Sequence, residues 1–183
     1  MANAIGKSIH KYFLFNHPLF RTSADDRLKW IPFGVVFFLD ALGVRARSGC
    51  KKQVLIISAA EAIKYLVSDS LKKLTDEHRP APYEASRHSF PSGHSCTAFS
   101  SAEFLHTEFK DSLPVLSCIG YVAATTVAAI RVIKNKHWVR DVVAGAVIGI
   151  IATKLAYALV KGRSPKPKYM ILIQRSKLNS LNY

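Results

Sequence analysis

The length, composition and charge of the chain limit what it can be. Its 183 residues can bury one hydrophobic core and are short for two, so we expect a single domain over residues 1–183. Lys and Arg number 26 against 12 Asp and Glu, and the formal charge of +14 favours an anionic partner such as nucleic acid, anionic lipid or a phosphorylated substrate. The three cysteines have no C-x-x-C spacing, so the sequence supports neither a disulfide framework nor a cysteine-based zinc site.

The first half of the chain contains two apolar stretches that predict helices. The N-terminal segment MANAIGKSIHKYFLFNHPLF lacks the apolar core and small-residue cleavage site of a removable signal peptide, so we expect an internal helix to direct any membrane insertion. Apolar residues then dominate 30–44 and 53–71. A polar connection rich in charge and proline, KKLTDEHRPAPYEASRHSF, follows the second stretch.

The second half continues the helical pattern. A third helix is predicted to begin near Pro91, with this proline in its first turn, and to run to about residue 109. Helices over 115–130 and 142–160 follow, and a basic, proline-marked tail occupies 161–183. Because no β-alternation or repeat competes with this pattern, we predict an all-α bundle of about four to six helices.

The apolar stretches favour a membrane protein over a soluble bundle. Two of them, 53–71 and 142–160, are 19 residues long, close to the ~20 residues that cross a bilayer. Basic clusters at 45–52 and 161–168 fall on one predicted side, which the positive-inside rule makes cytoplasmic. We therefore expect a multi-pass protein of the inner membrane, with its polar connections facing the periplasm or exterior. A soluble all-α domain is the alternative.

Three polar motifs end these helices on the side opposite the basic clusters. Their cationic side chains can neutralise phosphate oxygens, and arginine adds paired, planar donors. A Ser-Gly turn that enters a helix also directs backbone N–H groups at an anion. The three motifs are Lys72 with Arg79-Pro80, Pro91-Ser92-Gly93-His94, and Arg131 with His137 and Asp141.

The histidines and the aspartate supply the remaining chemistry. His137 and Asp141 are four residues apart and would share one face of a helix, where the carboxylate keeps one ring nitrogen protonated and leaves the other free to attack. His94 comes from another helix and could protonate a departing alkoxide. This set describes phosphoryl transfer through a phosphohistidine, without a metal or any other cofactor.

Three motifs over residues 72–141 resemble, in their order, the three-part signature of the type 2 phosphatidic acid phosphatase superfamily. They are K-x6-R-P, P-S-G-H and R-x5-H-x3-D. That superfamily includes bacterial non-specific acid phosphatases and vanadium haloperoxidases. The resemblance implies a helical bundle with His137 as nucleophile, Asp141 as its orienting partner and His94 as general acid. It also implies a phosphate site formed by Lys72, Arg79, Ser92, Gly93 and Arg131. Ile130 stands where the family usually has serine, so one auxiliary hydrogen bond is not expected.

The resemblance further implies a membrane lipid phosphatase. Its expected substrate is phosphatidic acid, phosphatidylglycerol phosphate, undecaprenyl pyrophosphate or a lipid A phosphate. We expect membrane lipids around the protein and do not expect nucleic acid as a partner. The alternatives are a vanadium-dependent haloperoxidase or a soluble acid phosphatase on the same fold, and a non-enzymatic basic protein that binds membranes. Two residues stay open: His88 could contact substrate or lie in a solvated loop, and Asp69 could orient Lys72 or form a surface ion pair.

Overall fold

The structure is a computed structural model that describes residues 2–16, 22–81, 85 and 87–160. All the secondary-structure elements within these ranges are α-helices, so the prediction of an all-α fold is confirmed. The predicted tail at 161–183 lies outside the described residues. The helices are α1 (Ala2–Asn16), α2 (Ala24–Leu28), α3 (Ile31–Ala41), α4 (Cys50–Thr75), α5 (Gly93–Phe109), α6 (Pro114–Ile133) and α7 (Val139–Leu159).

The centre of the bundle is α5, which packs against α3, α6 and α7. Twelve of its 17 residues are buried, and several of these are small and polar. Ser100 and Thr153 pair across the α5–α7 contact with their hydroxyl oxygens 2.9 Å apart. Phe104 packs against the ring of Phe33 at a centroid separation of 5.5 Å. The helix α5 is therefore enclosed by packing on three sides.

The start of α5 differs from the sequence prediction. The helix begins at Gly93, and Ser92 is its N-cap with an extended backbone (φ −73°, ψ 110°). The Ser92 hydroxyl accepts a hydrogen bond from the backbone N–H of Ser95 at 3.4 Å, as N-cap serines do. Pro91 thus precedes the helix, and the prediction that it lies in the first turn is wrong because the serine cap sets the boundary.

Two helices in the described part of the chain, α6 and α7, are long and apolar enough to cross a membrane. Their outer faces expose large aliphatic side chains, which suit contact with lipid. Although α4 is longer, it carries Glu61, Lys64 and Asp69 in its middle and does not match this description. The exposed aliphatic residues on α6 and α7 include Val115, Ile119, Val122, Val143, Val147, Ile151 and Leu155.

The contact between α5 and α7 depends on two glycines four residues apart. A Cβ atom on Gly145 would lie 2.6 Å from the backbone oxygen of Ser92. A Cβ atom on Gly149 would overlap the carbonyl oxygen of Cys96 and lie 2.9 Å from the backbone nitrogen of Ser100. The two backbones are in direct contact here, as G-x-x-x-G spacing permits.

We predict that Gly149→Ala lowers the free energy of unfolding by about 1–3 kcal/mol, because the added methyl group forces α5 and α7 apart. The measurement is thermal unfolding in detergent. Gly34→Ala is the matched control: Gly34 lies in α3 with nothing within 4 Å of an added Cβ, and alanine favours a helix by up to about 1 kcal/mol over glycine. Equal unfolding temperatures for the two variants would contradict this account of the contact.

Candidate active site

The ends of four helices bring the three sequence motifs together at one end of the bundle. Lys72 lies in the last turn of α4, and its ammonium nitrogen is 3.9 Å from the position of a Cβ on Gly93. The backbone N–H of Ser92 donates to the carbonyl of Asp141 at 3.0 Å, which joins the starts of α5 and α7. Arg131 lies in the last turn of α6 beside them. Arg79, His94 and His137 each lie close enough to Arg131 to interact with it through charge, so all eight predicted site residues belong to this cluster.

His137 is held differently from the sequence prediction. It precedes α7, which starts at Val139, so His137 and Asp141 do not share a helix face. The Nδ1 atom of His137 lies 2.8 Å from the carbonyl oxygen of Ser89 but 3.7 Å from the carboxylate of Asp141. Because a carbonyl oxygen only accepts hydrogen bonds, Nδ1 carries the proton and neutral His137 keeps its lone pair on Nε2.

Asp141 is fully buried and joins two segments of the site. Its Oδ2 atom accepts hydrogen bonds from the Ser89 hydroxyl at 2.6 Å and from the backbone N–H of Trp138 at 2.9 Å. Its Oδ1 atom is buried without a hydrogen bond among the described residues. Asp141 therefore acts on His137 through Ser89 and through its charge at 3.7 Å, and the hydrogen bond of Nδ1 goes to Ser89 rather than to the carboxylate.

Cationic groups surround the imidazole of His137. The Nε atoms of Arg79 and Arg131 are buried and have no hydrogen-bond partner in the described part of the chain. Burial and the nearby charge of Arg131 lower the pKa of Arg79 from its ordinary value. Buried donors normally have a partner, so these two guanidinium groups are suited to an anion with several oxygens.

The pKa of His137 lies below its ordinary value of 6.5. Burial is the largest cause, and the positive charges of Arg131 and Arg79 act in the same direction, whereas Asp141 opposes them. A group shifted this way is neutral at pH 7. His137 therefore presents a free lone pair on Nε2, which is the state that a nucleophile needs.

His94 contacts two residues from a part of the chain that the sequence analysis did not select. Its Nε2 atom lies 2.7 Å from the Asp26 carboxylate and 3.1 Å from the Lys29 ammonium. Burial lowers the pKa of His94 from 6.5 to about 4, and the hydrogen bond to Asp26 opposes this shift. Lys29 and Arg131 favour the neutral ring by charge.

The short helix α2 supplies a second carboxylate to the site. Asp25 is fully buried and pairs with Arg131 at 2.9 Å and with Lys134 at 2.9 Å. Burial raises the pKa of Asp25, but hydrogen bonds from Lys134 and Arg131 outweigh this effect and keep its pKa below the ordinary value. Five residues are too few for a recognisable helical period, so the sequence pattern could not find α2. The signal available was the pair of adjacent acids in a strongly basic chain.

The acidic groups of α2 also form the one cluster of possible metal ligands in the described residues. Asp25, Asp26 and His94 each offer a ligand atom within 4.8 Å of the others. However, Asp25 already neutralises Arg131 and Lys134, and the surrounding charge is positive. This environment favours anions over a metal cation.

The two residues left open by the sequence lie at the edge of the site. Asp69 pairs with Lys73 at 2.7 Å, with the lysine exposed and the aspartate partly exposed, which favours the surface ion pair over a role in orienting Lys72. His88 is exposed and has a left-handed backbone (φ 63°), with Nδ1 3.1 Å from the carbonyl oxygen of Lys72. That contact places His88 beside the end of α4.

Comparison with known proteins identifies the family. Residues 53–165 match the PAP2 superfamily, so the chain belongs to this superfamily, in agreement with the motifs. The lipid A 1-phosphatase of Porphyromonas gingivalis is 30% identical over 139 residues, which are 75% of this chain and 31% of that protein. The chain therefore spans about a third of the length of this relative. Two of its helices are long and apolar enough to span a membrane, which fits a membrane member of this superfamily.

Two solved structures share the fold. The crystal structure of Aquifex aeolicus LpxE has a TM-score of 0.58 and 22% identity, covering 81% of this chain and 93% of that one. The PAP2-type phosphatidylglycerolphosphate phosphatase of Bacillus subtilis has a TM-score of 0.57 and 21% identity, covering 86% and 85%. Both matches include most of the helical bundle described above.

We predict that Asp25→Asn destabilises the protein by about 3 kcal/mol, because it leaves Arg131 and Lys134 without their buried counterion. The measurement is unfolding of the detergent-solubilised protein. Asp69→Asn is the matched control and should change the free energy of unfolding by at most about 0.5 kcal/mol, since its ion pair is exposed. A similar small effect in both variants would show that Asp25 has no such role.

Proposed function

We propose that this protein is a membrane lipid phosphatase that hydrolyses a lipid phosphomonoester or pyrophosphate through a phosphohistidine intermediate. One observation carries the proposal: the neutral ring of His137, with its lone pair on Nε2, lies in a cluster where two buried arginine Nε groups lack partners among the described residues. A phosphate group supplies both an electrophile for the imidazole and acceptors for the arginines.

The reaction has two steps. In the first, Nε2 of His137 attacks phosphorus, the bond from phosphorus to the lipid oxygen breaks, and His94 gives its proton to that leaving oxygen. In the second, water attacks the phosphohistidine while His94 takes a proton from it, which releases inorganic phosphate and restores both histidines. All proton and bond changes use side chains and water, so we expect turnover in the presence of a metal chelator.

The cationic residues stabilise charge on the transferring phosphoryl group. Lys72, Arg79 and Arg131 supply positive charge, and the start of α5 supplies the backbone N–H groups of Gly93 and His94, while Ser92 accepts from the N–H of Ser95. Loss of one well-placed donor in such a site typically costs about 2.7–4 kcal/mol of transition-state stabilisation. Asp141 stabilises the imidazolium character that develops on His137.

The substrate and orientation are inferred from the surroundings of the site. The cluster lies at one end of a bundle whose outer faces are apolar, so a phosphate attached to a lipid would reach it from the membrane surface. The relative that acts on lipid A makes a lipid A phosphate the first substrate to test, before phosphatidylglycerol phosphate, phosphatidic acid and undecaprenyl pyrophosphate. The backbone N–H of Arg47 bonds to Glu108 near the far end of α5, which puts the basic cluster 45–52 opposite the site. We propose an inner-membrane location with the site facing the periplasm or exterior.

We predict that the purified protein releases phosphate from at least one of these lipids in detergent with a chelator present. His137→Ala should reduce the rate by at least about a thousandfold, because it removes the nucleophile. His106→Gln is the matched control and should keep its rate, since His106 lies 12 residues beyond His94, about 18 Å along α5, and bonds to Ser117.

Equal rates for the wild type and His137→Ala would refute the phosphohistidine mechanism. No release from any of the four lipids would refute the lipid phosphatase. In that case, halide oxidation with added vanadate would test the haloperoxidase alternative.

We also predict the pH dependence of kcat/KM. His137 must be neutral to attack, and its pKa lies below 6.5, so the acidic limb of the profile should have its midpoint below pH 6.5. Arg79→Gln should move this limb to higher pH, because the positive charge of Arg79 lowers the pKa of His137. Ionisation of the substrate is the same for both proteins and serves as the internal control. A limb that stays in place or moves to lower pH would contradict the assignment.

A further inference from the structure

Two side chains of opposite charge meet the same nitrogen of His94. Nε2 lies 2.7 Å from the Asp26 carboxylate and 3.1 Å from the Lys29 ammonium. The two partners are themselves 3.5 Å apart, so the three groups form a triangle. Both contacts with His94 use Nε2, which leaves Nδ1 available for the leaving oxygen of a substrate.

Asp26 and Lys29 have opposite effects on the protonation of His94. When Nε2 carries a proton it donates to Asp26, and the carboxylate stabilises a positively charged ring. The Lys29 ammonium repels a positively charged ring, so its charge favours the neutral ring. The two side chains therefore bias the protonation state of His94 in opposite directions.

Other charged groups that face His94 come from the helices packed around it. Arg131 in α6 favours the neutral ring by charge, and Lys72 in α4 lies beside the neighbouring Gly93. Asp25 in α2 neutralises Arg131. These groups place an excess of positive charge around His94, and burial acts in the same direction by lowering its pKa to about 4. Among the carboxylates of the described residues, Asp26 opposes both the positive charge and the burial through its direct hydrogen bond with His94.

We infer that Asp26 and Lys29 are positioning residues that set the proton affinity of His94 in opposite directions during turnover. The inference rests on the proposed function. In the first step the negative phosphate of the bound substrate favours the charged ring, which donates Nε2–H to Asp26 and gives its Nδ1 proton to the leaving lipid oxygen. The ring is then neutral with its remaining proton still on Nε2, and the charge of Lys29 favours this neutral state until Nδ1 takes a proton from the attacking water. Neither residue touches the phosphate in this scheme.

The test is the alkaline limb of kcat, which reports the general acid in the enzyme–substrate complex. Asp26→Asn removes the negative charge but keeps an acceptor oxygen, so it should move the limb to lower pH by roughly one unit. Lys29→Met removes the positive charge, so it should move the limb to higher pH. The lysine nitrogen lies 5.9 Å from the centre of the Trp30 ring, and methionine keeps an apolar chain against that ring. The double variant should lie near the wild-type limb because the two shifts cancel.

Opposite shifts with cancellation are not expected from loss of structure, which lowers the rate without moving the limb. Asp26→Glu should restore the limb towards the wild-type position. Asp111→Asn and Lys110→Met are matched controls for charge alone, since both residues are exposed after the end of α5, far from His94. Neither control should move the limb.

The outcomes separate this inference from the proposed function. An active wild type, an inactive His137→Ala and unmoved limbs in Asp26→Asn and Lys29→Met would overturn the inference alone. Shifts of both variants in the same direction would also overturn it. An inactive wild type, or activity that survives His137→Ala, would overturn the proposed function and the inference with it.

Discussion

The direct backbone contact between α5 and α7 is the constraint on which the site depends. Gly145 and Gly149 let the first turns of the two helices approach until Ser92 donates a backbone hydrogen bond to Asp141 at 3.0 Å. Larger residues at the two glycines would separate the first turn of α5, which we propose binds phosphate, from the histidine that precedes α7. The proposed chemistry needs two motifs that are distant in sequence at one phosphorus atom, and they can meet there because the two glycines have no side chains.

The second constraint is electrostatic. Arg79, Arg131 and Lys72 meet at one end of the bundle, and mutual repulsion among them opposes folding of the empty site. Asp25 relieves part of this repulsion because it is buried against Arg131 and Lys134. A substrate phosphate would bring further negative charge to the same groups. The helix α2 therefore allows the folded protein to keep its cations together before substrate arrives.

Sequence motifs predicted the helical bundle, the family and the eight residues that now cluster at one end. The apolar stretches at 53–71, 115–130 and 142–160 match α4, α6 and α7 to within a few residues, because burial and lipid contact impose a pattern that a sequence displays directly. The contribution of Asp25 could not be predicted, since its partner Arg131 is 106 residues away and no local period marks α2. The hydrogen bond from His137 to Ser89 was equally hidden, because it uses a backbone carbonyl that every residue type possesses.

The carbonyl of Ser89 has a consequence for how such a site can change over evolutionary time. Almost any substitution of Ser89 leaves its main-chain oxygen in place, so mutations there do not change the tautomer of His137 as long as the loop conformation is kept. His94 has the reverse arrangement, since the side chains that meet its ring come from a separate, short helix. Selection could thus change the proposed acid step for a new substrate or habitat by changing α2, while the proposed nucleophile, His137, stays as it is.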